Sequence, residues 1–239
     1  NEFLAEKEHL LKVVCHDIGN PLGVVTGSIL LMEMKQNKIG EEAEETWGRL
    51  KKSVLQIGEI LNGVREIAAA SSQKINLHLE PTKLRNVVEI CIENLQEKIS
   101  SKGLEIIITD HLKPETLVSA DPNKLAHHII TNLLTNAIKF SYKFSKIEFI
   151  LSETDDEIHM LISDSGAGIP LALQKAIFDP HTHTNRKGTE GENGTGFGLP
   201  IVKLYVEKHY GKIEVNSRSQ CEFPANHGTT FSVCLPRAA

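Results

Sequence analysis

The sequence has few of the features that mark a disulfide-bonded, a basic or a membrane-spanning protein. Its four cysteines, Cys15, Cys91, Cys221 and Cys234, are far apart and form no C-x-x-C pair, which suggests neither a disulfide framework nor a zinc site. The formal net charge of −5 argues against a nucleic-acid-binding surface as the main function. There is no run of about 18 apolar residues and no secretion signal. We therefore expect a cytoplasmic chain without nucleic-acid or membrane contact.

The length and composition are those of a globular protein of one large or two ordinary domains. The chain has 239 residues, of which 40% are hydrophobic, enough for a core. The apolar pattern changes from helical to mixed after Ser72. We predict a helical domain over 1–72 and an α+β domain over 73–239. Because the chain begins with Asn1 and Leu4 already lies on a helical stripe, we expect it to be part of a longer protein.

Two long amphipathic helices are predicted in the first domain. Apolar residues of the first helix, over about 2–36, recur at intervals of seven: Leu4, Leu11, Ile18, Val25 and Met32. Those of the second alternate spacings of three and four: Trp47, Leu50, Val54, Ile57, Leu61, Val64 and Ala68. Such stripes are typical of coiled coils and helix bundles. Since a two-helix hairpin cannot bury both stripes, we predict a homodimer that forms a four-helix bundle.

His16 lies off the apolar stripe of the first helix, roughly 140–160° around the axis from Leu11 and Ile18. The imidazole would face outward, where it can act as a nucleophile or proton carrier. Taken alone, the position also fits an ordinary surface histidine. Gly19 and Pro21 follow, and both residue types weaken a helix interior. We expect the helix to bend beside His16.

The second domain is predicted as an α+β sandwich, in which helices cover one face of an antiparallel sheet. Alternating apolar residues predict strands at 75–79, 104–109, 116–119, 146–152, 157–163, 212–216 and 229–235. Helical spacing predicts helices at 81–102, 124–140, 171–177 and 197–210. Asp121 and Pro122 suit a helix start, as cap and first helical residue.

One helix of this domain carries polar residues suited to a magnesium nucleotide. His128, Asn132, Asn136 and Phe140 follow one another at intervals of four along one edge of the helix predicted at 124–140, and Lys139 lies beside them. Asparagine offers an oxygen to Mg²⁺, and lysine offers positive charge to phosphate. The same asparagines could also simply be solvated.

Two glycine-rich loops follow this helix in the sequence. The loop at 164–170 comes after a strand, and its Asp164 can accept a hydrogen bond from an amine such as that of adenine. The loop at 193–199 leads into a helix whose N-terminus favours phosphate. Neither loop fits the dinucleotide fingerprint or the P-loop, so those folds are disfavoured.

In this order the motifs resemble those of the sensor histidine kinases of two-component systems. The resemblance covers nearly all of the chain. The matching motifs are an H box at 16–22, an N box at 132–140, a first glycine box at 164–168, an F box at 177–180, a second glycine box at 194–199 and a Gly-Thr motif at 228–231.

The resemblance implies a role for each motif residue. His16 would accept the phosphoryl group. Asp17 would orient the His16 imidazole and take its proton, and Asn20 would place water for dephosphorylation of a partner. Asn136 would ligate Mg²⁺, and the segment 179–193 would cover ATP. The implied nucleotide-binding residues are Asn132, Asn136, Lys139, Phe140, Asp164, Gly166, Gly168, Ile169, Phe178, Gly194, Thr195, Gly196, Phe197, Gly198, Leu199 and Thr229.

Three features of the sequence depart from the family pattern or leave a role open. Gly19 stands where the family usually has arginine or lysine, so a phosphate contact from that side chain is absent. Either Lys124 or His128 replaces the basic residue that usually precedes the N box. His181 and His183 have the spacing of metal ligands, but loop histidines of this kind are usually solvated.

By this resemblance the chain is expected to be an ATP-dependent protein-histidine kinase. It would phosphorylate His16, pass the group to an aspartate of a response-regulator receiver domain and also dephosphorylate that regulator. A related ATPase of the Hsp90-like or mismatch-repair type, or an anti-sigma serine kinase, is one alternative, against which the hairpin with His16 argues. A degenerate kinase that serves as a dimeric scaffold is another, against which Asn136 and Asp164 argue. Whether phosphorylation is in cis or in trans depends on the turn near 37–40.

Overall fold

The computed structural model describes residues 18, 21–30, 41–71, 76–180, 182, 186–192 and 194–238. The chain divides into two compact units, Asn1–Ser71 and Ser72–Ala239. The described residues of the first unit are helical and include helix α1 at 21–30 and helix α2 at Glu41–Ser71. None of the described helices is both long and apolar enough to cross a membrane. The predictions on His16, Asp17 and Asn20 lie outside the described residues, as does the predicted bend.

Helix α2 carries an exposed apolar stripe. Trp47, Val54 and Leu61 follow one another at intervals of seven and are 58%, 51% and 45% exposed. On α1, Leu22 and Ile29 have the same spacing and are also exposed. A stripe of this period is the surface through which helices associate in coiled coils, and a contiguous exposed apolar patch marks an interaction surface.

The described residues of the second unit form seven strands and the helices that cover them. The strands are β1 Glu80–Thr82, β2 Glu105–Asp110, β3 Val118–Ala120, β4 Lys146–Glu153, β5 Glu157–Asp164, β6 Lys212–Arg218 and β7 Gly228–Pro236. The helices are α3 Leu84–Asn94, α4 Gln96–Ser101, α5 Pro122–Lys124, a π-helix at Leu125–Ile130, α6 Thr131–Phe140, α7 Leu171–Gln174 and α8 Gly198–Lys208.

One five-stranded sheet, in the order β2-β4-β5-β7-β6, forms the base of the unit, and β1 and β3 form a separate two-stranded ribbon. Burial alternates along β4, β5 and β7, because successive strand residues point to opposite faces. Alternate residues such as Ile147, Phe149 and Leu151 are fully buried. Helices α3, α6 and α8 each supply further buried apolar residues, so the core lies between the helices and one face of the sheet.

The prediction of an antiparallel sheet is wrong for one strand pair. β2 runs parallel to β4, from Glu105 opposite Lys146 to Asp110 opposite Leu151. A parallel pair needs a long crossover, and the chain between these two strands contains β3 and the helical residues 122–140. Alternating apolar residues predict which face of a strand is buried but not its direction.

The strand predicted at 75–79 is also wrong, since residues 76–79 form no strand and β1 begins at Glu80. The backbone N–H of His78 donates instead to Asp121 Oδ2, at 3.1 Å. Pro81, predicted as a helix start, lies in β1 opposite Ser119. A two-stranded ribbon has only edge strands, where the missing N–H of proline is tolerated.

The helix predicted at 81–102 begins later and is interrupted. α3 starts at Leu84, and Leu95, with φ −106° and ψ 8°, separates it from α4. Leu95 is nevertheless buried. Its apolar side chain therefore continues the helical pattern of the sequence across a break in the backbone.

The helix predicted at 124–140 starts as expected but is not α-helical throughout. The Asp121 side chain accepts a hydrogen bond from the Lys124 N–H, as a capping residue does. Residues Leu125–Ile130 then form a π-helix, which breaks the α-helical spacing assumed between His128 and the asparagines. The His128 ring stacks on Tyr205 of α8, with ring centroids 4.1 Å apart.

Candidate nucleotide-binding site

Asp164 is a buried carboxylate at the end of β5. Its Oδ1 accepts a hydrogen bond from the Gly166 N–H at 2.9 Å, and Thr229 lies opposite it on β7. Burial raises the pKa of Asp164 from 3.8 to about 6, although the N–H groups of Gly166 and Thr229 and the nearby His227 act in the opposite direction. A desolvated carboxylate with these fixed contacts is suited to accept a hydrogen bond from the amine of a base.

The two glycines of the first glycine loop lie so close to other backbone atoms that neither position has room for a side chain. A Cβ on Gly166 would lie 2.1 Å from the carbonyl oxygen of Phe140, and one on Gly168 would lie 1.9 Å from that of Arg218. Gly168 also has a positive φ of 66°, which favours glycine. The Ala167 N–H donates to the Phe140 carbonyl at 3.0 Å. The loop is therefore fixed against the end of α6.

Ser217, which the sequence did not single out, joins two of the predicted residues. Its hydroxyl accepts from the Ile169 N–H at 2.8 Å, donates to the Gly228 carbonyl at 2.8 Å and lies 3.0 Å from the Thr229 hydroxyl. Ile169 and Thr229 thus lie on one hydrogen-bonded network beside Asp164. A serine in a strand gives no sign in the sequence that it will hold a distant loop.

Two cationic side chains lie over the ring of Phe140. Lys139 Nζ is 4.7 Å and the Arg186 guanidinium 5.4 Å from the ring centroid, and Arg186 donates to the Gly168 carbonyl at 2.7 Å. Burial lowers the pKa of Lys139, Glu192 raises it and Arg186 lowers it. Half-buried cations of this kind bind phosphate oxygens well, because they are less shielded by water. Arg186 was not predicted.

The second glycine loop meets the asparagine edge of α6. A Cβ on Gly198 would lie 3.3 Å from Asn132 Oδ1, and Asn132 Nδ2 donates to the His128 carbonyl at 2.9 Å. α8 begins at Gly198 without a side-chain cap for its first N–H groups, and such an end attracts anions. Asn136 follows one turn after Asn132 and is half-buried.

The other predicted residues have the following positions. Phe197 is buried, and its N–H donates to the Thr195 hydroxyl at 3.5 Å. Gly196 is exposed and has a positive φ of 80°. Phe178 is half-buried, with its ring centroid 6.3 Å from that of Phe231. Gly194 and Leu199 are half-buried along the same loop.

Lys102 follows α4 and contacts the end of α6, which the sequence did not reveal. Lys102 is only 3% exposed, and its ammonium group donates to the carbonyl oxygens of Ile138, at 2.8 Å, and Lys139, at 3.0 Å. It also donates to Glu192 Oε1 at 2.9 Å. A cation at a helix C-terminus satisfies carbonyls that have no partner within the helix. Lys102 therefore joins α6 to the segment that contains Glu192.

The segment 186–192 is held to α6 by further hydrogen bonds. The Thr189 N–H donates to the Lys139 carbonyl at 3.1 Å, and the Thr189 hydroxyl donates to the Ser141 carbonyl at 2.6 Å. The Gly188 N–H donates to the Glu192 carbonyl at 2.8 Å. Arg186 is the first residue of this segment. Its position over Phe140 therefore depends on the attachment of the following residues to the end of α6.

Replacement of Glu192 by Gln should loosen the 186–192 segment without unfolding the protein. The variant loses a charge-assisted hydrogen bond to Lys102, which typically stabilises a contact by about 1.5–3 kcal/mol. We expect faster amide hydrogen exchange at Thr189, weaker ATP binding and a melting temperature lower by several degrees. Exchange measured by mass spectrometry and nucleotide titration would test this.

Glu190→Gln is the matched control, because Glu190 lies in the same segment and pairs with Lys143, and these two side chains are 41% and 54% exposed. Exposed ion pairs contribute little, so this variant should behave like the wild type. Equal exchange at Thr189 in the two variants would contradict a specific role for the bond between Lys102 and Glu192.

These residues fit a magnesium nucleotide. A buried carboxylate, loops without room for a Cβ, two cations and an uncapped helix end surround the same edge of α6. Among the described residues, the Asn136 carboxamide has no hydrogen-bond partner, so its oxygen is available to a hard cation. The mixed sheet, the covering helices and this site define an ATP-binding domain.

The comparison with known protein families agrees with this class. The family of histidine kinase-, DNA gyrase B- and HSP90-like ATPases matches residues 120–239. The chain belongs to this family, which implies that it binds ATP.

Related sequences are sensory kinases that are longer than this chain. The adaptive-response sensory kinase SasA of Synechocystis sp. is 28% identical over 236 residues, which are 96% of this chain and 59% of that protein. SasA of Gloeothece citriformis is 30% identical over 250 residues, with 98% of this chain and 60% of that protein covered. The chain thus spans about three fifths of the length of these relatives.

Solved structures share the fold. The histidine kinase ThkA, in complex with the response regulator protein TrrA, has a TM-score of 0.77 at 22% identity and covers 99% of this chain and 64% of its own. The histidine kinase AdeS of Acinetobacter baumannii has a TM-score of 0.72 at 17% identity, with 92% of this chain and 97% of its own covered.

Proposed function

We propose that this chain is the catalytic core of a two-component sensor histidine kinase. Its ATP-binding unit would phosphorylate His16, and the phosphoryl group would then pass to an aspartate of a receiver domain. The observation that carries the proposal is the arrangement around Asp164, where the first glycine loop, the end of α6 and two cations converge. The same chain carries the His16-Asp17 motif in a helical unit, which supports a kinase over other ATPases of the family.

We assign each residue of the nucleotide site to one part of the magnesium nucleotide. Asp164 would hold the adenine, and Lys139, Arg186 and the N-terminus of α8 would hold the phosphates. Asn136 would hold Mg²⁺, which neutralises phosphate charge when bound.

The unprotonated ring nitrogen of His16 would attack the γ-phosphorus. The bond from this phosphorus to the oxygen that bridges it to the β-phosphorus would break, and ADP would leave with that oxygen. Asp17 would orient the imidazole and take the proton from its other nitrogen. Asn20 would place the water that dephosphorylates the regulator. These roles stay predictions.

The exposed stripes of the first unit support a homodimer. Trp47, Val54 and Leu61 on α2 leave an apolar surface that a second copy would cover. A receiver domain would be the partner of this chain, since the solved structure of ThkA is a complex with a response regulator protein. Analytical ultracentrifugation should find a dimer, and Trp47→Glu should weaken it because it buries a charge.

A scaffold that has lost kinase activity is the alternative, and a phosphoryl-transfer assay separates the two. Incubation with γ-labelled ATP and Mg²⁺ should label the chain. The label should then move to a cognate receiver domain when that is added. A chain that binds ATP but never becomes labelled would support the scaffold instead.

The pH dependence of ATP binding should reflect the raised pKa of Asp164. The carboxylate is the stronger acceptor, and with a pKa of about 6 it becomes protonated as the pH falls from 7 to 5. If only the ionised form binds well, the dissociation constant should rise by about tenfold at pH 5. Titration of a fluorescent ATP analogue at several pH values would measure this.

Asp164→Asn provides the control for protonation of the nucleotide itself. Its carboxamide does not titrate, so the variant should bind more weakly at pH 7 and show only the pH dependence that belongs to the phosphates. Parallel pH profiles for the variant and the wild type would contradict a role for Asp164 ionisation.

A further inference from the structure

The face of the five-stranded sheet opposite the helices carries a cluster of three metal-ligating residue types. Glu157 and His159 lie on β5 and alternate with buried residues, so both point to this face. Cys234 of β7 lies directly opposite His159 in the antiparallel register. One ligand atom from each of the three residues lies within 4.8 Å of the others.

The ligand types and their spacing suit zinc. Zn²⁺ is bound by thiolate, imidazole and carboxylate with bonds of about 2.0–2.3 Å, so tetrahedral ligand atoms lie about 3.3–3.8 Å apart. Inward movement by about 1 Å would bring the three atoms to that spacing. Side-chain rotation suffices for this movement, because His159 and Cys234 form a cross-strand pair, whose Cβ atoms lie about 4.5–5.5 Å apart. The longer Glu157 side chain reaches this pair from two residues away on β5.

Charged groups of both signs lie near the Cys234 thiol. Burial raises the pKa of Cys234 to about 11, the Glu157 carboxylate adds to this effect, and Lys212 acts in the opposite direction. Lys212 lies opposite Cys234 on β6, and Ser152 lies opposite His159 on β4.

We propose that Glu157, His159 and Cys234 form a zinc-binding site. Binding releases the thiol proton to solvent and forms bonds from zinc to Cys234 Sγ, a ring nitrogen of His159 and a Glu157 oxygen, with water in the fourth position. The site lies at the start of β5, about 17 Å along the strand from Asp164 at its end, and is separate from the nucleotide site. It does not depend on the proposed kinase function.

Cobalt is the spectroscopic probe for this site. The whole chain, treated with a chelator and then titrated with Co²⁺, should bind one equivalent and develop the near-ultraviolet charge-transfer absorption of a thiolate–cobalt bond. One equivalent of Zn²⁺ should abolish this absorption. A titration without charge-transfer absorption would overturn the proposal.

Two variants and one control identify the ligands. Cys234→Ser should lose the charge-transfer absorption, and His159→Asn should weaken Co²⁺ binding by at least about tenfold. Cys221→Ser, which removes an exposed cysteine outside the cluster, should bind like the wild type. Absorption that persists in Cys234→Ser would assign the thiolate elsewhere and refute the site. If Cys234→Ser fails to fold, wild-type affinity in His159→Asn refutes it equally.

Discussion

His16→Ala should abolish autophosphorylation and leave ATP binding unchanged. The imidazole would be the nucleophile, and no other side chain can take over an in-line attack that depends on position. We expect the initial rate of label incorporation from γ-labelled ATP to fall by at least about 1,000-fold, which corresponds to the loss of about 4 kcal/mol or more of transition-state stabilisation. Nucleotide affinity should stay the same, because the site around Asp164 is built from residues of the second unit.

His78→Ala is the matched control for this substitution. The His78 side chain is 89% exposed and lies in the second unit, so its removal should change neither label incorporation nor nucleotide affinity. If His16→Ala also loses ATP binding, the substitution has damaged more than the acceptor. If it keeps its label, His16 is not the acceptor.

Asn136→Ala should eliminate most kinase activity by a different route. It removes the carboxamide oxygen that we assign to Mg²⁺, about one turn before Lys139 and Phe140 on α6. Metal-ion stabilisation of phosphoryl transfer amounts to several kcal/mol, so we expect the rate to fall by at least about 100-fold. The same variant should bind ATP more weakly in the presence of Mg²⁺ but nearly normally in EDTA.

Asn94→Ala, at the exposed end of α3, controls for the loss of an asparagine from a helix of the same unit. It should retain full activity and the full effect of Mg²⁺ on affinity. An Asn136→Ala variant whose affinity still responds to Mg²⁺ as the wild type does would contradict the assignment of the metal to Asn136.

Much of the second unit could be predicted because its elements carry strong local patterns. Alternating burial in β4, β5 and β7 follows the apolar period of two, and the capped start at Asp121 follows the residue types alone. The errors concern features that depend on partners distant in sequence. The direction of β2, the pairing of Pro81 with β3 and the π-helix before α6 are set by tertiary packing.

In the candidate site, too, local sequence patterns could be predicted and contacts between distant residues could not. Glycines and asparagines that must stand at fixed spacings could be identified, because close backbone approaches such as that of Gly166 to Phe140 exclude other residue types. Lys102, Arg186 and Ser217 could not, since a lysine at a helix end or a serine in a strand has an ordinary surface role in most sequences. Only the folded chain brings Lys102 to the carbonyl of Lys139.

The most direct test of the central claim is the chemical nature and position of the phosphoryl group. The wild-type chain, incubated with γ-labelled ATP and Mg²⁺, should carry label that is lost in acid and retained in base, as expected of a phosphorus–nitrogen bond. Mass spectrometry under neutral conditions should place it on the peptide that contains His16. Label that is stable in acid, or that maps to another residue, would contradict the proposal that this chain is a histidine kinase.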